Sequence, residues 1–304
     1  MKILVKLLFA SLVLFQVSYA DYMEVILLGT GTPRPSIERF GAATLVSAGG
    51  QYFLFDAGRG VTMRLQQAGI TADQIDKVFL THLHSDHISG LDDLWITGWI
   101  WQREQWLHVW GPAGTRQLVD GLREAYTADI SYRVANVHLE ADKARIDAVE
   151  INEGVVYQQN GVTIKAFLVD HVPVKPAFGY LVEFGDRVVV ISGDTTYSEN
   201  LIKHAQNADL MVHEITAADT SLLMRNKRLA SVVAYHTTPE QMTAVLEKTK
   251  PKLTVLNHVL LFGVPEDEVM QTIKQKYSGD VVMGYDLMKI EIGNTHDIKR
   301  INAE

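Results

Sequence analysis

The chain has 304 residues, enough for one large domain or two moderate ones, and its 47% apolar and 21% charged content is that of a soluble globular protein. A formal net charge of -8 argues against a protein that grips nucleic acid by neutralising phosphates over a basic face. There is no cysteine, so neither a disulfide framework nor a thiolate metal ligand is available.

The first element is read as a leader. Met1 to Lys6 is short and basic, Leu7 to Val17 is apolar but too short to span a bilayer comfortably, and Ser18-Tyr19-Ala20 fits a small-x-small cleavage site. The expectation is a signal peptide over 1–20, a mature chain from Asp21, and a single domain over 21–304. The mature chain is then exported to a bacterial periplasm or secreted, with no stable membrane insertion. Loss of Lys2 and Lys6 leaves 26 basic against 36 acidic residues, a balance of -10.

A strand is predicted over Met23–Leu28, closed by the turn cluster Gly29-Thr30-Gly31-Thr32-Pro33. Strands at Ala43–Ser47 and Gln51–Phe55 flank Gly49-Gly50, a hairpin signal, and Phe55-Asp56-Ala57-Gly58 ends the pair before a helix over Arg59–Ala68. The short strand Val78–Leu80 runs into His82-Leu83-His84-Ser85-Asp86-His87. This H-x-H-x-D-H run puts three imidazoles and a carboxylate on one tight loop, the nitrogen and oxygen donors that zinc takes. A helix is predicted over Pro112–Tyr126, with Pro112 in its first turn.

The second half repeats the theme, with strands at Val162–Leu168, Gly179–Phe184, Arg187–Ile191, Leu210–His213, Leu253–Leu256 and Leu287–Ile292 and helices at Pro239–Lys248 and Glu266–Lys276. Two similar halves of mixed strands and helices predict two packed sheets with helices outside. Three further donors stand at strand ends: His171, Asp194 after Gly193, and His258. A two-metal site needs about seven groups, one of them a bridging carboxylate. His82, His84, Asp86, His87, His171, Asp194 and His258 make up that number. His236 precedes a helix, and a buried Glu214 beside His213 would hold an imidazole in one tautomer.

On these residues the chain resembles the metallo-β-lactamase superfamily, and within it the branch of ribonuclease Z and the zinc-type arylsulfatases. The resemblance covers about residues 23 to 292. It rests on H-x-H-x-D-H, His171 before Ala177-Phe178-Gly179-Tyr180, the Gly193-Asp194-Thr195 acid, an H-E-A-T-like run (His213 to Thr216), an H-S-T-like run (His236 to Thr238) and a last strand-end His258. It implies an α+β, four-layer αβ/βα sandwich holding two zinc ions. His82, His84 and His171 would hold the first, Asp86, His87 and His258 the second, and Asp194 would bridge them. It further implies His236 as the acid on the leaving oxygen, with Glu214 in support, and Asp86 as the group that orients or deprotonates water. The two ions would give a hydroxide nucleophile. A homodimer follows by the same resemblance.

One departure bears on the substrate. Ribonuclease Z enzymes that process transfer RNA carry a long arm between the third His and the bridging Asp, and here His171 and Asp194 are 23 residues apart. With the leader and the acidic balance, this predicts a small anionic ester as partner, a phosphodiester or aryl sulfate, and no nucleic acid. The alternatives are a lactone or thioester hydrolase on the same site and a metal-binding partner protein without turnover. The iron-based redox branch has Glu where His84 stands.

All five tryptophans lie between Trp95 and Trp110; Trp95 and Trp99 share a helix face and are read as packing rather than as a cleft wall. Met224-Arg225-Asn226-Lys227-Arg228 is read as a solvated loop rather than an anion-attracting patch. His108, His138, His204 and His296 have no constellation around them and are read as structural or surface residues.

Overall fold

The computed structural model describes residues 22–293 and 298–301; the leader-like run 1–20, the start at Asp21 and His296 lie outside the described residues. The chain opens with β1 (Met23–Gly29), β2 (Ala43–Ala48) and β3 (Gln51–Phe55), the last two joined by Gly49 and Gly50 at positive φ. After α1 (Val61–Gln67) comes β4 (Lys77–Phe79), then α2 (Ser85–Ile88), α3 (Leu91–Ile100), β5 (Leu107–Gly111), α4 (Thr115–Ala125), α5 (Thr127–Val137) and β6 (Ile146–Glu150). The second half runs β7 (Gly154–Gln159), β8 (Val162–Leu168), β9 (Phe178–Phe184), β10 (Arg187–Ile191), α6 (Glu199–His204) and β11 (Leu210–Ala218). It ends with α7 (Thr220–Arg225), α8 (Lys227–Ala234), α9 (Pro239–Thr249), β12 (Leu253–Phe262), α10 (Glu266–Lys274), β13 (Val281–Met283), β14 (Met288–Ile292) and β15 (Ile298–Ile301).

Among the described residues these strands form two sheets, in the orders β15-β14-β1-β2-β3-β4-β5-β6 and β13-β12-β11-β10-β9-β8-β7. Strands of the middle layers are apolar on both faces because both faces are covered. In β1, Val25 and Leu27 point between the sheets, among Phe53, Phe55, Phe79, Tyr180, Val189, Val212 and Val255. The alternate residues Ile26 and Leu28 pack outward with Val61, Leu65, Leu94, Trp95 and Trp99 of α1 and α3. On the far side, Val190, Met211 and Leu256 meet Leu201, Met242, Leu246 and Ile273 of α6, α9 and α10. Helix, sheet, sheet, helix is the expected αβ/βα sandwich, and each fully buried Leu, Ile, Val or Phe in it is worth roughly 1.5–3 kcal/mol against solvent exposure. No helix among the described residues is long and apolar enough to cross a membrane.

Several elements differ from the sequence-based expectation. The α4 helix starts at Thr115, not Pro112, because Gly114 sits at φ 101 and Thr115 turns its hydroxyl onto the Pro112 carbonyl at 2.7 Å. β11 and β12 run well past His213 and Leu256, since they pair in parallel along their whole length and their polar residues stay buried within the ladder. β3, β4 and β5 are mutually parallel, as are β10, β11 and β12, and β8 runs the same way because both β8 and β10 are antiparallel to β9. Strand direction puts the ends of β3 and β4 at one edge of the first sheet and those of β8 and β10 at one edge of the second. The two edges meet, since the Phe178 N–H donates to the Thr81 carbonyl at 2.9 Å, and this is the edge where parallel-sheet proteins place their sites.

Candidate metal centre

Each predicted ligand is aimed by a local device at that edge. His82 and His84 lie in the turn after β4, and His84 is the residue that opens α2, which carries Asp86 and His87. Asp194 follows Gly193, whose φ is 61 and where a Cβ would stand 2.6 Å from the Phe178 carbonyl oxygen, so only glycine fits the turn that presents this acid. His258 is an extra residue in β12: Glu214 pairs with Asn257 and Ile215 with Val259, and His258, at φ 43, bulges between them. A β-bulge of this kind re-aims one side chain out of the alternation of a strand.

The seven side chains converge. His82 Nε2 and His84 Nδ1 are 2.9 Å apart, and His171 Nε2 is 3.4 Å from His84 Nδ1. Asp86 Oδ2 lies 3.1 Å from His258 Nε2 and 3.6 Å from His87 Nε2. Asp194 Oδ2 stands between the two groups, 3.7 Å from His82 Nε2 and 3.9 Å from His171 Nε2 on one side, 3.3 Å from His87 Nε2 and 3.6 Å from His258 Nε2 on the other. His82, His84, His171 and Asp194 offer donor atoms within 4.8 Å of one another, as do Asp86, His87 and His258. The cluster is therefore able to bind metal. His87 Nε2, buried and without a hydrogen-bond partner, is one donor that a cation there would satisfy.

The electrostatics fit the same use. Burial above all holds the pKa of His82, His84 and His171 below the ordinary histidine range, which keeps them in the neutral form that ligates. His87 is the exception: burial opposes its charged form, yet the Asp194 and Asp56 carboxylates outweigh burial and hold this imidazole well above its ordinary value, so a cation at Nε2 would have to displace a proton. Asp194, despite complete burial, is held well below the carboxylate range by the positive field of His258 and His87. The outer nitrogens are fixed as well: His171 Nδ1 donates to the Tyr235 carbonyl at 3.0 Å, and His87 Nδ1 meets Asp56 Oδ2 at 2.7 Å. Such partners set the tautomer and the ring orientation.

His236 and Glu214 form a second unit beside this cluster. Glu214 Oε1 accepts from His236 Nδ1 at 3.0 Å and from the backbone N–H of Thr195 and Thr237 at 3.2 and 3.0 Å. Burial disfavours the His236 imidazolium, but Glu214 reverses the balance and pushes its pKa up to about 9. The buried glutamate thus holds His236, not the adjacent His213, whose Nδ1 donates to the Glu214 carbonyl at 2.8 Å.

The centre opens into a cleft of about 510 Å³. Its floor includes His84, Asp86, Asp194, His236 and His258; one rim carries Arg34 and the other Asn226 and Arg228. Asp286 clamps the Arg34 loop at both ends, accepting from Thr30 N at 2.9 Å and Phe40 N at 2.7 Å. The segment read as a solvated loop is thus exposed, but as the helical wall of the cleft. Trp95 and Trp99 are buried in the helix–sheet core, and no tryptophan lines the cleft. Asp56 had no role in the sequence reading, although an acid after an apolar strand and before Ala57-Gly58 resembles the setting of Asp194. Tyr235, which holds His171 through its carbonyl, gave no signal, since a backbone contact leaves no mark on residue type.

Comparison with known proteins places this geometry in a family. Residues 23–258 match the family described as anti-Pycsar protein Apyc1. A ribonuclease Z of Mycobacterium sp. (strain KMS) is 36% identical over 274 residues, covering 89% of this chain and 96% of the relative. The metallo-β-lactamase fold protein YhfI of Bacillus subtilis superposes with a TM-score of 0.71 at 20% identity, covering 89% of this chain and all of that one. The short form of human tRNase Z superposes with a TM-score of 0.65 at 26% identity, over 88% and 98% of the two chains.

These relatives overturn the expectation of a small anionic ester with no nucleic acid. Proteins named for RNA cleavage match the chain over nearly their whole length, so the missing arm does not separate it from them. The charge argument fails for a physical reason: net charge sums the whole surface, whereas Arg34 and Arg228 stand at the cleft itself. The chain belongs to the ribonuclease Z-like family of metallo-β-lactamase-fold hydrolases.

Proposed function

We propose that this protein is a zinc-dependent hydrolase of nucleotide phosphodiesters that works with two zinc ions. The observation that carries the reading is the Asp194 carboxylate, whose Oδ2 lies 3.3–3.9 Å from imidazoles of both donor groups. His82, His84 and His171 would hold one ion, Asp86, His87 and His258 the other, and Asp194 both. When bound, the ions neutralise charge that develops on phosphoryl oxygens and make water at the site more acidic. Asp86, at the cleft floor, then accepts the proton of the attacking water. His236, protonated at neutral pH and held through Nδ1 by Glu214, donates its Nε2 proton to the leaving oxygen.

The substrate class rests on the relatives' name, ribonuclease, and on the cleft. Among the described residues neither Arg34 nor Arg228 pairs with a carboxylate, so both guanidinium groups remain available to the phosphates that flank a scissile bond. Leu229, Val232 and Phe262 give the same cleft an apolar side against which a base can rest. Export is part of the proposal, on the leader-like run 1–20; N-terminal sequencing of protein recovered from a bacterial host would find Asp21 first, and an intact Met1 would refute it.

The test is metal analysis with a substrate panel of an RNA oligonucleotide, a dinucleotide, an aryl sulfate and a lactone. About two zinc ions per chain and hydrolysis of the first two substrates are expected. Turnover confined to the sulfate or the lactone would overturn the reading. His236→Ala should lose about 10²–10⁴-fold on nucleoside leaving groups and far less on a nitrophenyl diester, whose leaving group needs no proton.

A further inference from the structure

Four polar atoms beside the metal centre are buried without a hydrogen-bond partner: Asp194 Oδ1, Glu214 Oε2, Asn257 Oδ1 and His258 Nδ1. Their residues are 3%, 2%, 8% and 3% exposed, so bulk solvent does not reach them freely. Three of the four also have a partner atom that is engaged at the site. Asp194 Oδ2 and His258 Nε2 face the ligand cluster, and Glu214 Oε1 holds His236. The orphaned atoms are the opposite ends of the same groups. All four residues line one small cavity of about 20 Å³ between the sheets. A buried water needs roughly 10–15 Å³ and two to four polar partners, and buried polar groups without protein partners are what such waters serve.

We propose that one buried water molecule is a structural part of this centre, bound behind the metal ligands by Asp194, Glu214, Asn257 and His258. The proton inventory closes around it. The water donates its two hydrogens to the carboxylate oxygens Asp194 Oδ1 and Glu214 Oε2. It accepts from His258 Nδ1–H, and the Asn257 amide, turned so that its NH₂ faces inward, supplies the second donor. This pattern fixes His258 in the tautomer whose Nε2 is free on the metal side, the task that Asp56 performs for His87 and the Tyr235 carbonyl for His171. It also ties Glu214, and through it His236, to the two residues expected to hold metal. The water is a positioning element and does not touch the substrate.

The inference rests on the reading of Asp194 and His258 as metal ligands, and its test separates the two. A crystal structure of the zinc-loaded protein should show one density peak in the cavity at about 2.7–3.2 Å from at least three of Asp194 Oδ1, Glu214 Oε2, His258 Nδ1 and the Asn257 side-chain amide. An empty cavity would overturn the proposal, and so would contacts of about 2.4 Å to oxygens only, which mark a cation. Zinc affinity, read by competition with a chelating dye, gives a second measure that needs no substrate. Asn257→Leu fills the cavity and should weaken zinc binding by about 10–100-fold, whereas Asn257→Ala removes one donor to the water but leaves it room and three partners, and should weaken zinc binding several-fold less than the leucine does. Equal effects of the two variants would overturn the proposal. A protein that bound no zinc at all would refute the metal reading instead, and the peak in the metal-free crystal would still decide the water.

Discussion

Asp56 touches no predicted metal position and yet organises one. One oxygen meets His87 Nδ1 at 2.7 Å and the other accepts from the backbone N–H of Thr81 at 2.8 Å, so a single carboxylate fixes both the start of the His82 loop and the ring of His87. It does so from φ 60, a left-handed conformation that Asp tolerates better than most residues but at some cost. Asp56→Asn keeps the volume and removes the charge, leaving His87 free to take the other tautomer. The expected outcome is a zinc affinity lower by about 10–100-fold with unchanged far-ultraviolet circular dichroism, measured by chelator competition. Affinity equal to that of the parent protein would mean that His87 needs no such partner. The contrast with Asp194 shows what spacing carries. A Gly-Asp step after an apolar strand stands out along the chain, whereas the value of Asp56 lies in a contact with a residue 31 positions away, and before Ala57-Gly58 it reads as an ordinary turn former.

The outer wall of the cleft is the least anchored element. Neither α7 nor α8 contains a buried residue, and few buried contacts imply low local stability. Local hydrogen bonds hold the pair: Asp219 caps α7 by accepting from Ser221 N, and Asn226 caps α8 by accepting from Leu229 N at 3.1 Å. Asn226→Ala removes that cap, at a cost of about 1 kcal/mol confined to α8. Hydrogen exchange of residues 227–234 should speed up several-fold and KM for a nucleotide diester should rise, with kcat and the global melting temperature nearly unchanged. A fall in kcat at constant KM would place α8 in the chemistry rather than in substrate binding. Six- and eight-residue helices present too short a stretch for a 3.6-residue period to emerge, which is why a run of charges there suggests a loop. The opposite bias shortened β11 and β12, where His213, Glu214, Asn257 and His258 looked like the ends of strands. Buried in a parallel ladder that pairs their backbone groups, such residues continue the strand, and the bulge at His258 exists only because two strands of unequal length are paired.

At the scale of the molecule, the two-layered repeat of strands and helices was legible because amphipathic periods are local, while strand order was not, because it depends on contacts between distant parts of the chain. β14 returns from the C-terminal end to pair with β1, with Met23 opposite Ile292, a register that no local pattern encodes. The candidate centre depends on the same long-range closure. His82, His84, Asp86 and His87 hang from the first sheet, His171, Asp194 and His258 from the second, and Asp194 Oδ2 meets imidazoles of both. A metal held by this set ties the sheets together only in the folded state, because the unfolded chain scatters its donors over 176 positions between His82 and His258. Ligand binding to the native state alone adds stability that grows with the logarithm of metal concentration, about 4 kcal/mol at a thousandfold excess over Kd. For a chain of this size each kcal/mol moves the melting temperature by about 2 °C. Removal of zinc by a chelator should therefore lower the midpoint by about 8 °C, and readdition should restore it. Asp56→Asn, with its weaker grip on the metal, should show a smaller drop under the same zinc concentration. A midpoint indifferent to zinc would mean that the two sheets are locked by their apolar interface alone and that the donor set contributes nothing to the fold that assembles it.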